Sequence, residues 1–260
     1  MKARDESDAS ASQPNAICFT FDVEWAAKPV IDDVLRILDE RGVIGTFFVT
    51  HDGVDVGHHE RALHPNFRRN GDIYRMLRNA HECSDTEVYR HVIRTALSFA
   101  PEAKGTRSHS LLYDSTLLPI YAEMGIEYDS TYRLELVENL RPFWKASGIV
   151  EIPTYYTDYV DLSSGSTGFR ASGLGLKTPG LKVLDLHPNL IYVNAHNQAS
   201  YEAIRPIYHD PDRLAAARFN GSGARTLFVE ALETAVQEGL PITTMGAINR
   251  AWRDRHFGKT

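Results

Sequence analysis

The sequence predicts a single α/β domain on a largely parallel sheet, barrel-like or doubly wound, and three observations carry that expectation. Ile17 to Glu24 (Ile-Cys-Phe-Thr-Phe-Asp-Val-Glu) is a short run of apolar, aromatic and β-branched residues ending in two carboxylates, the pattern of a buried strand. A helix-spaced segment and a second apolar run follow, so the chain opens β-α-β, the signature of a parallel sheet. Neither an internal repeat nor a linker between two hydrophobic cores breaks the alternation along the 260 residues.

Each element can be justified in turn. Pro29 to Arg41 places apolar residues at 30, 31, 34, 35 and 38, one face of a helix, and Gly42 stops it. Ile44 to Thr50 is the second strand. Asp55 to Phe67 is polar and histidine-rich, with little periodicity, and reads as a loop carrying Pro65. Helical spacing returns over 85–99 through Val88, Val92, Ile93, Ala96 and Leu97. Lys104 to His109 reads as a short extended piece, 114–124 as a helix closed by Gly125, and Ile126 to Asp129 as a brief strand ending in an acid. Between 139 and 180, Pro142, Pro153, the Tyr155 to Tyr159 cluster and the Gly/Ser-rich Ser163 to Gly175 predict irregular strands and an exposed loop over a site. Leu181 to Leu186 and Leu190 to Ala195 read as two strands separated by His187-Pro188-Asn189. The tail predicts a helix over 223–238 stopped by Gly239, a strand from Pro241 to Met245, and a short helix to about Arg253.

Composition narrows the function. A hydrophobic share of 43% with 24% charged residues is that of an ordinary globular protein. A net charge of −6 without a basic block gives a phosphate backbone nothing to bind, so nucleic acid is not expected as a partner. No apolar stretch approaches the roughly 20 residues of a membrane span. Residues 1–15 lack the apolar core of a signal peptide and predict a disordered lead-in to a folded domain over 16–255. Cys18 and Cys83 are the only cysteines, which fits a reducing cytoplasm better than a disulfide framework, although a bridge between them stays open.

The chemistry lies elsewhere. Gly173-Leu-Gly175 lacks the third glycine and preceding strand of a dinucleotide site, and neither a phosphate-cradling loop nor a Gly-x-Ser-x-Gly elbow occurs. What remains is a series of polar residues at the ends of successive apolar runs: Asp22 and Glu24, His64, Arg107 and His109, Asp129, and His187. Carboxylates and imidazoles together suit a borderline divalent metal such as zinc, whose catalytic sites keep three protein ligands and an open water position.

In order along the chain, Thr20-Phe21-Asp22-Val23-Glu24, Gly45-Thr46-Phe47-Phe48-Val49, His64-Pro65-Asn66-Phe67, Arg107-Ser108-His109-Ser110, Tyr128-Asp129-Ser130-Thr131 and Leu184-Asp185-Leu186-His187-Pro188 resemble the motifs of polysaccharide deacetylases of the NodB-homology, carbohydrate esterase family four-like type. His-Pro-Asn-Phe and Arg-Ser-His-Ser resemble an outlying branch found with bacterial surface-polysaccharide (O-antigen) genes. The resemblance spans about residues 16–250. It implies a distorted (β/α) barrel with about seven parallel strands, and a metal-dependent hydrolase that removes an acetyl or other acyl group from an N-acetylated sugar, sugar nucleotide or saccharide precursor. The implied metal is zinc, with nickel, cobalt or iron as alternatives. Asp22 matches the family's base, Arg107 the arginine that orients it, His187 the general acid and Asp129 a residue that buttresses that histidine. Val23 occupies the position of the usual second Asp, which passes the ligand role to Glu24, and residues two apart on a strand share a face. His64 matches the first histidine of the second motif, and Arg68 stands where the second would be. His109 is the candidate third ligand, with His59 and His58 as alternatives. Two further readings remain: a non-catalytic carbohydrate-binding or assembly protein on a decayed deacetylase fold, and a hydrolase of another amide C–N bond.

Overall fold

A computed structural model describes residues 15–71, 74–77 and 84–257. The expected lead-in, apart from Asn15, and Cys83 lie outside the described residues. Cys18 is a buried free thiol. The strands are β1 (Ile17–Asp22), β2 (Thr46–Val49), β3 (Glu60–Leu63), β4 (Gly105–Thr106), β5 (Tyr128–Asp129), β6 (Phe143–Trp144), β7 (Val150–Glu151), β8 (Tyr156–Thr157) and β9 (Lys182–Leu186). They form one sheet in the order β6-β7-β5-β4-β3-β2-β1-β9-β8, parallel throughout except for the β6/β7 pair. The helices are α1 (Lys28–Asp39), α2 (Asp85–Phe99), α3 (Leu117–Glu123), α4 (Asp158–Ser164), α5 (Pro188–Val193), α6 (Gln198–Ile204), α7 (Pro211–Ala216), α8 (Ala224–Gln237) and α9 (Met245–Phe257).

The sheet is curled into a half-barrel, and Arg107 makes the curvature plain. It follows β4, three strand positions from β1, which in a flat sheet would be roughly 14 Å away. Yet its Nη1 lies 2.9 Å from Asp22 Oδ1 on β1 and 3.1 Å from Asp185 Oδ1 on β9. Alternation along β1 divides the two faces: Phe19 and Phe21 pack edge-on against Phe228 of α8, whereas Thr20 and Asp22 meet Arg107 inside the curl. Both faces of β1 are therefore covered, which explains its continuous apolar run. Gly105 on β4 is dictated by packing, since a Cβ there would stand 1.8 Å from the Tyr128 ring.

The structure corrects several sequence expectations. Among the described residues, nine strands replace about seven, five of them only two residues long. β3 lies within the stretch read as a loop, because Glu60 and Arg61 hide a strand whose Ala62 and Leu63 are buried. The Glu60 carboxylate accepts from Thr46 Oγ1, Tyr128 Oη and the backbone N of Gly246, and so ties α9 to the N-terminal end of the barrel. Leu190 to Ala195 is not a strand; Leu190 to Val193 belong to α5, which is begun by Pro188 in its first turn and ended by Asn194 in the left-handed conformation. Pro241 to Met245 contributes only an isolated bridge, Ile17 to Ile242, and α9 runs on to Phe257. Among the described residues, no helix is long and apolar enough to cross a membrane.

Candidate active site

The C-terminal ends of β1, β3, β4 and β9 open into a cavity of about 540 Å³, whose wall includes Asp22, Glu24, His109, Asp185 and His187. β1 stops at Asp22, and Glu24 arrives by a turn rather than by strand alternation. Glu24 and Trp25 both have positive φ, 50° and 56°, a conformation that strains non-glycine residues. The turn is pinned where Trp25 N donates to Thr50 Oγ1 at 3.0 Å. His64 follows β3 and His109 follows β4.

Three side chains converge here. Glu24 Oε1 lies 3.2 Å from His64 Nε2 and 2.8 Å from His109 Nδ1, and the two ring nitrogens are 3.4 Å apart. A tetrahedron with corners about 2.0–2.1 Å from its centre has edges of about 3.3 Å, so the triangle has the size of one face of a zinc site. Burial pushes the Glu24 carboxyl up, but the bonds to His109 and His64 outweigh it and hold the group far below the usual range. Burial likewise pushes His64 down, and Asp22, Glu24 and Asp185 together outweigh it, leaving its pKa raised. The cluster thus attracts positive charge, which a divalent cation supplies without protons. His64 Nδ1 is buried with no partner among the described residues, so the ring's polar contacts are all at the centre of the cluster. Glu24, His64 and His109 fit a divalent metal.

His58 and His59 do not share this place. They form a separate group with Asp39 at the N-terminal side of β3. His59 Nδ1 accepts from Gly45 N at 3.1 Å, so its proton sits on Nε2, which faces Asp39 Oδ1 at 3.2 Å and has no lone pair left for a metal. Arg68 stands at the cavity wall, outside the ligand cluster.

Beside the cluster, Arg107 is fully buried over the Phe48 ring and bonds Thr20, Asp22, Asp185 and Ser130. It takes one oxygen of Asp22, while Asp22 Oδ2 lies 3.6 Å from His64 Nε2. Asp22, Asp185 and His187 bring one polar atom each within 4.8 Å of one another. The cation that meets both carboxylates there is the Arg107 guanidinium, whose Nη1 bonds each of them. Burial, reinforced by the charge of Asp22, pushes the Asp185 carboxyl up to about 7.

His187 is not held by Asp129. Its Nδ1 donates to Asp158 Oδ1 at 2.6 Å, and its backbone N donates to Asp158 Oδ2 at 2.9 Å. Asp129 is engaged elsewhere, by Lys145 Nζ at 2.6 Å and Thr131 Oγ1 at 2.5 Å. Sequence reasoning missed Asp158 because it sits inside the tyrosine cluster, and missed Asp185 because it is enclosed by the leucines of β9. The signal for Asp185 was alternation, since it lies two residues before His187. Burial pushes His187 down, yet Asp158, then Asp185 and Asp22, outweigh it and raise its pKa well above the ordinary histidine value.

The aromatic and polar residues around this centre divide. Tyr159 is exposed at the cavity beside His187, whereas Tyr155 and Tyr156 are core residues bonded to Leu174 O and Asp161. Trp144 packs on Trp252 and Phe257 of α9. Asn194 caps α5 and anchors the start of α8. None of Ser163 to Gly175 lines the cavity, and Ala171 N bonds Glu230 on α8 instead.

Fold and site together define the polysaccharide deacetylase class. The chain overlays a crystal structure from Bordetella bronchiseptica, described as a polysaccharide deacetylase involved in O-antigen biosynthesis, with a TM-score of 0.71 and 26% identity over 84% of this chain and 90% of that one. A structure from Mycobacterium smegmatis, also described as a polysaccharide deacetylase, shares the fold with a TM-score of 0.56 and 19% identity over 93% of this chain and 91% of that one. The chain belongs to the WbmS-like polysaccharide deacetylase family, whose model matches residues 19–205. No curated protein sequence matches it significantly.

Proposed function

We propose that this protein is a metal-dependent hydrolase that removes an acetyl or related acyl group from the amino nitrogen of an N-acetylated sugar, sugar nucleotide or saccharide precursor of a surface polysaccharide, in the cytoplasm. The reading rests on one observation: Glu24, His64 and His109 converge beside Asp22, with His187 at the same cavity. A divalent ion on those three residues would supply a Lewis acid that polarises the acyl oxygen and makes water more acidic. Asp22, fixed by Arg107 through one oxygen, takes a proton from the attacking water with the other. The C–N bond breaks, His187 gives a proton to the departing nitrogen, and a carboxylate and a free amine result. Asp158 holds His187 in the tautomer that places its proton-donating nitrogen away from Nδ1, and favours the charged form.

The test combines metal content with acetate release. Protein purified without chelator is expected to hold zinc, nickel, cobalt or iron, to lose turnover of N-acetylated saccharides when stripped, and to regain it on reloading. Glu24→Ala is expected to lose both metal and turnover. Saccharide binding by a protein that takes up no metal and releases no acetate would instead identify a carbohydrate-binding protein.

A pH profile examines the acid. His187 works protonated, so activity falls as pH rises through its raised pKa. Asp158→Asn removes the main partner that raises it, and the alkaline limb of kcat/KM is expected to move to lower pH. An unmoved limb would take the acid role from His187.

A further inference from the structure

The cavity is acidic at its floor and basic at its mouth. At the floor, Asp22 and Asp185 are buried and share Arg107, and Glu24 is matched by two histidines. At the mouth, Arg68, Arg133 and Arg205 line the wall, contributed by the loop after β3, the segment after β5 and the end of α6. These side chains are poorly neutralised. Arg68 has no ion pair or side-chain hydrogen bond among the described residues. Arg133 has its nearest carboxylate oxygen, on Glu135, 3.9 Å away, and Arg205 alone has a close partner, Glu202 at 3.1 Å. Among the described residues, no lysine lines the cavity. In a chain of net charge −6, three arginines against Glu202 and the more distant Glu135 leave the mouth with an excess of positive charge.

We propose that the substrate is an anionic saccharide, carrying a carboxylate or phosphate that the arginines at the mouth engage while its acylated amine lies at the floor. The inference rests on the hydrolase reading for the floor but not for the mouth. Arginine rather than lysine is the residue for paired hydrogen bonds to a planar carboxylate or a phosphate. An excess of cations around a concave mouth also raises the local concentration of anions. A neutral sugar would make no use of that charge. Two sources present the shared chemistry: an acylated aminouronic acid, with its carboxylate on the ring, and a nucleoside-diphosphate sugar, with its charge on the diphosphate. The tyrosines at the mouth, Tyr159, Tyr201 and Tyr208, give either sugar or base an aromatic wall.

The test compares three acetylated substrates on the metal-loaded protein: a neutral N-acetylglucosamine oligosaccharide, an N-acetyl aminouronic acid glycoside, and UDP-N-acetylglucosamine. Calorimetric binding of UDP and of glucuronate runs in parallel and does not depend on turnover. One anionic substrate is expected to exceed the neutral one in kcat/KM, with a preference that shrinks as ionic strength rises. Arg133→Gln and Arg205→Gln are expected to raise its KM about tenfold each with kcat little altered, and to weaken binding of the matching anion alike. Arg69→Gln serves as the control, because it removes the same charge from an exposed side chain outside the cavity wall, paired with Asp85. Equal use of the neutral substrate with unchanged KM in the arginine variants would overturn the proposal while leaving the deacetylase reading intact. Arginine-dependent anion binding without acetate release from any substrate would support the proposal and overturn the deacetylase reading.

Discussion

Asp22→Asn is expected to retain its fold and its metal while releasing acetate about 10²–10⁴ times more slowly, the usual worth of a positioned base. The substitution is nearly isosteric. The amide oxygen can still accept from Arg107, so the bond at 2.9 Å survives and Asp185 keeps its own bond to the same nitrogen. What disappears is the basic oxygen near His64, and with it the group that takes the proton from water. Turnover in single-turnover and steady-state assays should fall together, at unchanged metal content and melting temperature. Undiminished acetate release would remove Asp22 from the mechanism and move attention to Asp185, the other carboxylate on Arg107.

The largest effect on stability is expected from Arg107→Met. Arg107 is wholly buried between two carboxylates, and removing one partner of such a group leaves uncompensated charge at a cost of about 3–5 kcal/mol. For a domain of this size that is a fall of roughly 6–20 °C in melting temperature. Its pH dependence has a definite sign. The folded pKa of Asp185 is raised to about 7, above its unfolded value, so its contribution to stability is complete below about pH 4 and is lost as pH rises through 7. Arg107 opposes that rise, so without it the loss extends to higher pH. The gap between variant and wild type should therefore be wider at pH 8 than at pH 5 in thermal melts. A deficit equal at both pH values would show that lost packing over Phe48, not charge, is what the substitution removes.

Much of this arrangement can be read from the chain, for identifiable reasons. β1, β2 and β9 are buried along their whole length, so their sequences are short, mainly apolar runs, and α1, α2 and α8 carry apolar stripes long enough to show helical period. β3 does not announce itself because half of it is charged, and the partners of Glu60 come from β2, β5 and α9, all remote in sequence. Six residues of α5 are too few for periodicity, and all but one of them are buried, so helix and buried strand look alike there; Pro188 and Asn194 were the usable marks. At the site, the triangle of Glu24, His64 and His109 follows the order of motifs along the chain, because each residue ends or follows a parallel strand. The support of His187 does not follow that order. It depends on which of two acids, Asp129 or Asp158, the curl of the sheet brings near β9, and β8 lies next to β9 while β5 does not.

The left-handed turn at Glu24 and Trp25 sets a trade-off at this position. A conformation of this kind costs of order 1–3 kcal/mol per non-glycine residue, and glycine, asparagine or aspartate bears it more easily than glutamate. The residue most comfortable with the backbone at position 24 is therefore not the one whose carboxylate reaches His64 and His109. Selection for stability alone would drift towards glycine and empty the cluster, so keeping a glutamate there holds the protein below the stability its fold could reach. Thr50, which bonds the Trp25 amide, offsets part of that deficit from outside the ligand cluster.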